Sequence, residues 1–213
     1  MRLYEKWRPT SLDGIVGQEN IVKRVRSLIE RNCIGGHALL ITGKSGQGKT
    51  TLARIIAGHL ADDYNVTEFD AVDCTPARIG AIEEDWTYAG MGSKRGKAWI
   101  INECHCMDSK SIGKWLTVLE RMPDHAVVIF TSTVDGIKEF EGKRDAKPFC
   151  SRCTCLILNS QGVAKPFAEY VKGIAEREGL NGKPVEAYVK LANDNNSNMR
   201  AMLQAIESEV MAD

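Results

Sequence analysis

The chain has 213 residues, and its 28 lysines and arginines balance 28 aspartates and glutamates, with 43% of residues hydrophobic and 26% charged. This composition excludes a disordered chain, because it supplies apolar surface for a core and no net charge to oppose collapse. Zero net charge also removes the simplest basis for nucleic-acid binding, a strongly basic domain, and leaves only a local basic face. The longest apolar runs, His37 to Ile41 and Ala126 to Phe130, have the length of strands. They fall far short of the roughly 20 residues that cross a bilayer. The opening MRLYEKWRPT lacks the apolar core of a secretory signal, so a soluble cytoplasmic chain is expected. Seven cysteines, an odd number, then read as reduced thiols.

Residues 1–36 mix charge with an amphipathic stretch, Ile21 to Ile29, that predicts a helix. His37 to Thr42 predicts a strand ending in a glycine-rich turn, and Lys49 to about Asp62 a helix. Val66 to Val72 predicts a strand, Ala77 to Tyr88 a helix, Lys97 to Asn102 a buried strand and Ser109 to Met122 a further helix. Ala126 to Thr131 and Thr154 to Leu158 complete the strands. Between them Gly136 to Lys147, charged and poor in strand signals, predicts an exposed loop insertion. Short apolar strands alternating with helices specify an α/β fold whose parallel sheet is covered on both faces.

After Ser160 the texture turns helical. Val163, Phe167, Tyr170, Val171 and Ile174 mark one helix, and Pro184 to Leu191 a second. Met199, Met202, Leu203, Ile206 and Val210 mark a third, and Gly179 with Asn181-Gly182 separates the first two. The expected organisation is an α/β nucleotide-binding domain over residues 1–162 and a small three-helix lid over residues 163–213.

Gly43-Lys44-Ser45-Gly46-Gln47-Gly48-Lys49-Thr50 fits the pattern G-x-x-x-x-G-K-[ST] at every fixed position, after an apolar strand and before a helix. Glycines let successive backbone N–H groups turn inward onto phosphate oxygens, and the helix that follows adds its positive end. Ser45, Gly46, Gln47, Gly48, Lys49, Thr50 and Thr51 are therefore expected to hold a nucleoside triphosphate. Lys49 would reach the β- and γ-phosphates, and the Thr50 hydroxyl would ligate Mg²⁺. P-loop ATPases need a second strand that ends in an acid near the metal. Here Ala98-Trp99-Ile100-Ile101 leads into Asn102-Glu103, so an amide stands where the first acid belongs. Asn102 keeps an oxygen but no charge, which weakens metal binding and hydrolysis. Glu103 is placed to orient and deprotonate an attacking water.

These residues, taken together, resemble the ATPase subunits of sliding-clamp loaders, a family of AAA+ proteins. Its members are the small subunits of archaeal and eukaryotic replication factor C and the bacterial gamma/tau subunit. Tyr4-Glu5-Lys6-Trp7-Arg8-Pro9 and Leu12 to Glu19 are similar to the family's opening, which folds over the adenine base. The resemblance assigns that contact to Tyr4, Arg8, Pro9, Val16 and Gly17. Asn102-Glu103-Cys104-His105 stands in the place of the family's D-E-x-H. Ser132, after a buried strand, aligns with the first sensor of the γ-phosphate, and Thr131 or Thr133 would serve with a one-residue slip. Ser151-Arg152-Cys153 matches the family's Ser-Arg-Cys, which implies that Arg152 enters a neighbouring subunit's ATP site. Asn198-Met199-Arg200-Ala201-Met202-Leu203 is similar to the lid-helix motif and implies Arg200 as the second sensor in cis. An arginine supplied in trans makes hydrolysis depend on assembly.

The chain departs from the family at four places. It stops at Asp213 without the helical collar that holds clamp-loader pentamers together. In Ala77-Arg78-Ile79-Gly80-Ala81-Ile82-Glu83, which matches the family's DNA-tracking helix, Glu83 occupies a position where an arginine is usual. Phosphate contacts need cations, so DNA binding is expected to be weakened there. The others are Asn102 itself and the charged segment Lys138 to Lys147 ahead of Ser-Arg-Cys. Zinc would need four converging ligands, and the cysteines near 104 and 153 read better as small buried hydrophobes. The expected function is an ATPase module that works with other loader subunits, a sliding clamp and primer-template DNA. Two alternatives stand beside it: a bracing subunit that binds nucleotide with little hydrolysis, which Asn102 favours, and a Holliday-junction branch-migration motor, which Ser-Arg-Cys and the E-K-W-R-P opening disfavour.

Overall fold

The computed structural model describes residues 1–180, 182–208 and 211. In chain order they form α1 (Leu3–Lys6), α2 (Glu19–Glu30), β1 (His37–Thr42), α3 (Lys49–Leu60), β2 (Val66–Asp70) and α4 (Pro76–Asp85). Then follow β3 (Lys97–Asn102), α5 (Ser109–Val118), β4 (Ala126–Ser132), α6 (Val134–Glu141), α7 (Ala146–Ser151) and β5 (Cys153–Ile157). Three last helices, α8 (Ala164–Glu178), α9 (Val185–Asp194) and α10 (Met199–Glu207), complete the order. Val210 and Asn181, expected in the third helix and at the break, lie outside the described residues.

All five strands are parallel, in the order β2-β3-β4-β1-β5. Side chains of successive strand residues alternate between faces, and the core divides accordingly. Ala38, Leu40, Trp99, Ile101, Val128 and Phe130 face one layer with α4, α5, α6 and α7. Leu39, Ile41, Ala98, Ile100, Val127 and Ile129 face the other, with α2 and α3. Register places Thr42 opposite Ser132 and Asp70 opposite Asn102. The C-terminal ends of β1, β4, β3 and β2 thus lie along one edge, where ligands of open parallel sheets bind. No helix among the described residues is long and apolar enough to cross a membrane.

A third apolar cluster joins α8, α9 and α10 through Phe167, Val171, Ile174, Tyr188, Met202, Leu203 and Ile206. Leu3 of α1 is buried in this cluster, with Tyr4 and Trp7 packed against it. The Trp7 ring nitrogen donates to Glu178 at 2.7 Å, Lys6 pairs with the same carboxylate, and Tyr170 donates its hydroxyl to Trp7 O at 3.2 Å. The N-terminal helix, too short to carry a periodic signal, is therefore held by the C-terminal bundle. Gln18, 3% exposed, ties the following segment to the end of the sheet, donating to Asn159 O and accepting from Asn159 N at 2.9 and 2.7 Å.

The segment 136–147, expected to be an exposed loop, is largely helical. Thr133 caps α6 by accepting from Gly136 N at 3.0 Å, and the apolar residues Ile137 and Phe140, three apart, share one helix face. Phe140 and Phe149 are fully buried. Phe149 stacks edge-on against Phe130 at 4.8 Å and Phe140 at 5.6 Å. The density of charges in the sequence hid two aromatic anchors aimed at the sheet. Lys143 is one of those charges, and its ammonium donates to the carbonyls of His105 and Met107 at 2.7 and 2.8 Å. Elsewhere the expected elements shorten at their ends: β2 stops at Asp70, where Ala71–Asp73 tightens into a 3-10 turn, and α5 stops at Val118. Phe149→Ala is expected to lower stability by about 3–5 kcal/mol. The denaturant midpoint measures it, and a loss below about 1 kcal/mol would return this segment to the periphery.

Candidate functional site

β1 ends at Thr42 and the chain turns through Gly43 to Gly48 into α3. Gly46 at φ 70° and Gly48 at φ 93° occupy left-handed backbone that other residues adopt only with strain. Gly48 is the N-cap of α3 and no side chain caps that helix. Its first-turn N–H groups are therefore left for a ligand, next to the positive end of the helix dipole. Lys49 is 7% exposed and folds back to donate to the carbonyls of Gly43 and Lys44 at 3.2 and 3.1 Å. Gln47 Oε1 accepts from Lys44 N at 2.9 Å, while its Nε2 is buried with no partner. An oxyanion satisfies such donors, so the loop fits a phosphate.

The walls of the cleft come from three parts of the chain, around about 990 Å³ of empty space that includes its open side. Ser45 to Thr51 forms the floor, with Glu103 beside it; Tyr4, Trp7, Arg8, Pro9, Ile15 and Val16 form one wall, and Phe167, Tyr170, Met199, Arg200 and Leu203 the other. Apolar and aromatic side chains thus lie on either side of a phosphate loop, the composition a purine base and its phosphates need. Burial lowers the Lys49 pKa below that of an ordinary lysine; Glu103 opposes the shift and Arg200 adds to it. Burial also lowers the Arg8 pKa, with Arg54 and Arg200 adding to the effect. Arg200 thus disfavours the charge of both Lys49 and Arg8, and a bound anion would relieve that repulsion. Arg200 also lies over the Tyr4 ring at 5.5 Å.

The bundle touches the loop directly. Met199 N donates to Gly46 O at 3.1 Å. Asn198, which caps α10 by accepting from Ala201 N at 3.1 Å, fills the space over Gly46 so closely that a Cβ there would lie 1.7 Å from its Oδ1. Glycine at 46 thus serves both the turn and this approach.

Beside the loop, Asn102 stands at the centre of a hydrogen-bonded group. Its Oδ1 accepts from Thr50 Oγ1 at 3.1 Å and from Thr131 Oγ1 at 3.2 Å, and its Nδ2 donates to Glu68 Oε1 at 3.0 Å. Arg54 of α3 grips Glu68 with Nε at 2.6 Å and Nη2 at 2.9 Å. Burial opposes the Glu68 charge most strongly, but the hydrogen bonds and charges of Arg54, Asn102 and Arg8 together hold its carboxyl below the usual value. Thr50 and Asn102 offer the hard oxygen atoms that Mg²⁺ prefers, though Asn102 contributes no charge. Glu103 takes left-handed backbone, φ 53° and ψ 50°, and its N–H donates to Thr131 Oγ1 at 3.3 Å. Such strain in a non-glycine residue persists only where the surroundings enforce it. The Glu103 carboxylate lines the cleft and lies 3.5 Å from His105 Nδ1.

Some expected site residues lie elsewhere. Gly17 is packed under Phe167 rather than lining the cleft, where a Cβ would lie 3.2 Å from the ring. Ser132 is buried, donates to Thr133 O at 3.1 Å and meets His105 Nδ1 at 3.0 Å; it is the Thr131 hydroxyl that faces Asn102. Arg152 is on the outer surface, its Nε bonded to Glu120 at 3.0 Å and Nη1 to Pro148 O at 3.1 Å. On α4 the Arg78 guanidinium lies 3.8 Å from the Phe69 ring centre, while Glu83 pairs with Lys114 at 2.8 Å and Arg121 at 3.8 Å. Burial pushes the thiols of Cys104 and Cys153 far up, which leaves them protonated and inert. No group of three or more His, Cys, Asp or Glu among the described residues is placed to hold a metal ion. Trp7, Phe167, Tyr170, Arg54 and Glu68 were not assigned to the site from the sequence. The first three share helical periodicity or the N-terminal motif, but nothing local announces the last two.

Residues 5–83 match the family described as the TIP49 P-loop domain. The chain is 29% identical over 227 residues to the protein named DNA polymerase III subunit gamma of Buchnera aphidicola subsp. Schizaphis graminum, covering 96% of this chain and 60% of that one. It is 26% identical over 214 residues to the replication factor C small subunit of Natronomonas pharaonis, covering 96% and 61%. The chain therefore spans about three fifths of the length of these curated relatives. The structure superimposes on the RuvB Holliday junction branch migration motor of Thermotoga maritima with a TM-score of 0.72 at 22% identity, covering 97% of this chain and 68% of that one. That likeness shows a shared fold, and the match over residues 5–83 marks it as a P-loop domain.

An anion bound at the loop restores the Lys49 pKa, so binding takes up a proton wherever the free chain has begun to lose it. The sign follows: nucleotide affinity falls as pH rises through the lowered Lys49 value, below the ordinary 10.5. Calorimetry at alkaline pH in two buffers of different ionisation enthalpy should show uptake in the wild type and none in Lys49→Ala. Equal heats in both buffers would exclude Lys49 as the phosphate contact.

Proposed function

We propose that this P-loop AAA+ chain is the ATPase module of a sliding-clamp loader, binding ATP and Mg²⁺ in the cleft between an α/β domain (1–162) and a helical lid (163–213). The observation that carries this reading is the convergence of Lys49, Arg8 and Arg200 on the uncapped N-terminus of α3, between aromatic walls from both ends of the chain. Its relatives' names supply the biological class. In this reading Tyr4, Arg8, Pro9 and Val16 hold the base, with Gly17 supporting Phe167 behind them. Ser45 to Thr51 and Lys49 hold the phosphates, and Thr50 with the Asn102 oxygen would hold Mg²⁺. The ion would neutralise charge on the phosphate oxygens.

Glu103 serves as the base that orients a water, its direction set by the left-handed backbone and by the bond from its N–H to Thr131. Thr131, or Ser132 through His105, reads the γ-phosphate end of the site. Arg200 reaches the phosphates in cis. Because Met199 is bonded to Gly46, nucleotide occupancy and lid angle are read together. Arg152 acts in trans, in a neighbouring subunit's site. Its surface pair with Glu120 is worth only about 0–1 kcal/mol, so docking against a triphosphate readily displaces it. Partner subunits, a clamp and primer-template DNA follow from the clamp-loader reading, as does a cytoplasmic location. DNA contact through α4 is weak, since Glu83 occupies Lys114 and Arg121.

A second reading has an observation of its own. The uncharged Asn102 favours a subunit that uses bound nucleotide as a brace with little turnover. Steady-state ATP hydrolysis with Mg²⁺, over a range of protein concentrations and with clamp and primed DNA, separates the two. The ATPase reading predicts turnover that climbs with concentration, disappears in Lys49→Ala, and falls on the order of 10³-fold in Arg152→Ala. Background turnover with tight nucleotide binding would leave the brace, and stimulation by four-way junctions instead of a clamp would overturn the loader reading.

A further inference from the structure

Asn102 differs from an aspartate in more than charge, because an amide has two unlike ends. Turned one way it presents an oxygen to Thr50; turned the other way it presents an NH₂ that repels a cation. Three contacts bear on the choice. Glu68 can only accept, and it lies 3.0 Å from Nδ2. Thr131 Oγ1 already accepts from Glu103 N, so its own proton is free for Asn102 Oδ1 at 3.2 Å. Thr50 Oγ1 completes the set at 3.1 Å. With the amide reversed, Oδ1 would lie against the Glu68 carboxylate, two acceptors in contact, while Thr50 and Thr131 could accept from NH₂ without complaint. The hydroxyls are indifferent, and the carboxylate decides.

The architecture supports that role. Glu68 pairs with Ile100 across the β2–β3 ladder, two residues before Asn102 and on the same sheet face. Arg54, one turn after Thr50 on α3, holds both Glu68 oxygens. The helix after the loop, the edge strand β2 and the amide-bearing strand β3 therefore meet in one group.

We infer that Glu68 is a positioning residue that locks Asn102 with its oxygen toward Thr50, so that an amide can fill the place of a metal-side carboxylate. The functional half rests on the reading of the cleft as a nucleotide and Mg²⁺ site; the locked amide itself does not. A carboxylate at 102 has no wrong end but sets two acceptors of like charge side by side, so in the Asn102→Asp background Glu68→Gln removes a repulsion and releases no lock. Glu68→Gln keeps the volume but can meet either end of the Asn102 amide, which releases the lock.

The test uses the whole chain as wild type, Glu68→Gln, Asn102→Asp and the double variant. In the ligand-free chain, the Asn102 side-chain ¹H–¹⁵N amide signal, assigned by its loss in Asn102→Asp, should be shifted downfield and protected from exchange. In Glu68→Gln the downfield shift and the protection should both diminish, because the amide then takes either orientation. A fluorescent ATP analogue then measures how much Mg²⁺ strengthens binding. Glu68→Gln should cut that enhancement on the order of tenfold with Asn102 present, and should leave it unchanged or raise it in the Asn102→Asp background. Equal losses in both backgrounds would show Glu68 acting only through the fold, and no loss in either would also overturn the inference. A wild type with no Mg²⁺ enhancement would overturn the nucleotide reading instead, and the amide signal alone would then uphold or sink the Asn102–Glu68 lock.

Discussion

Positive charge gathered at the N-terminus of α3 is the constraint on which this structure turns. Lys49 is buried in the loop, and Arg200 lies close enough to disfavour the charges of Lys49 and Arg8. The uncapped first turn of α3 adds further positive potential at the same place. Each group comes from a different part of the chain: Arg8 from the N-terminal segment, Lys49 from the loop after β1, Arg200 from the start of α10. Repulsion of this kind is tolerated in a folded protein when a ligand relieves it, and polyphosphate is the matching anion.

The same geometry explains why the ends of the chain are joined. Leu3, Tyr4 and Trp7 pack on the C-terminal bundle, and Gln18 grips Asn159 just where the chain leaves the sheet. These contacts hold the N-terminal wall of the cleft against the wall formed by the bundle. The bond from Met199 to Gly46 and the Asn198 side chain over that glycine join this wall to the phosphate loop itself. The loop and the bundle are therefore in direct packed contact.

Asn102 draws the opposite edge together. Parallel pairing sets Asn102 at the end of β3 beside the end of β4, so Thr131 reaches it, and α3 brings Thr50 from above the sheet. An isolated asparagine there would be a poor substitute for an acid, because either end of its amide can face the metal side. Surrounded by Glu68, Thr131 and Thr50, it is a hydrogen-bonded group with a single orientation. Substitution of one residue in the site is thus legible only together with its neighbours.

Local rules were enough for much of this protein. Strand and helix periodicity placed the five strands and the three C-terminal helices, and the loop from Gly43 to Thr50 declared itself through glycine, lysine and threonine at fixed spacing. Backbone handedness and side-chain alternation act over a few residues, so sequence alone carries them. Local rules failed at 136–147, where charges outnumber the buried Phe140 and hide it. They favoured Ser132, with Thr131 or Thr133 a one-residue slip away, and could not tell that the strand turns the Thr131 hydroxyl toward Asn102, nor find Glu68 and Arg54. The partners of Asn102 in α3 and β2 lie 52 and 34 positions away from it. Only the folded sheet, by fixing which residues meet across strands and helices, decided what surrounds that amide and which way it faces.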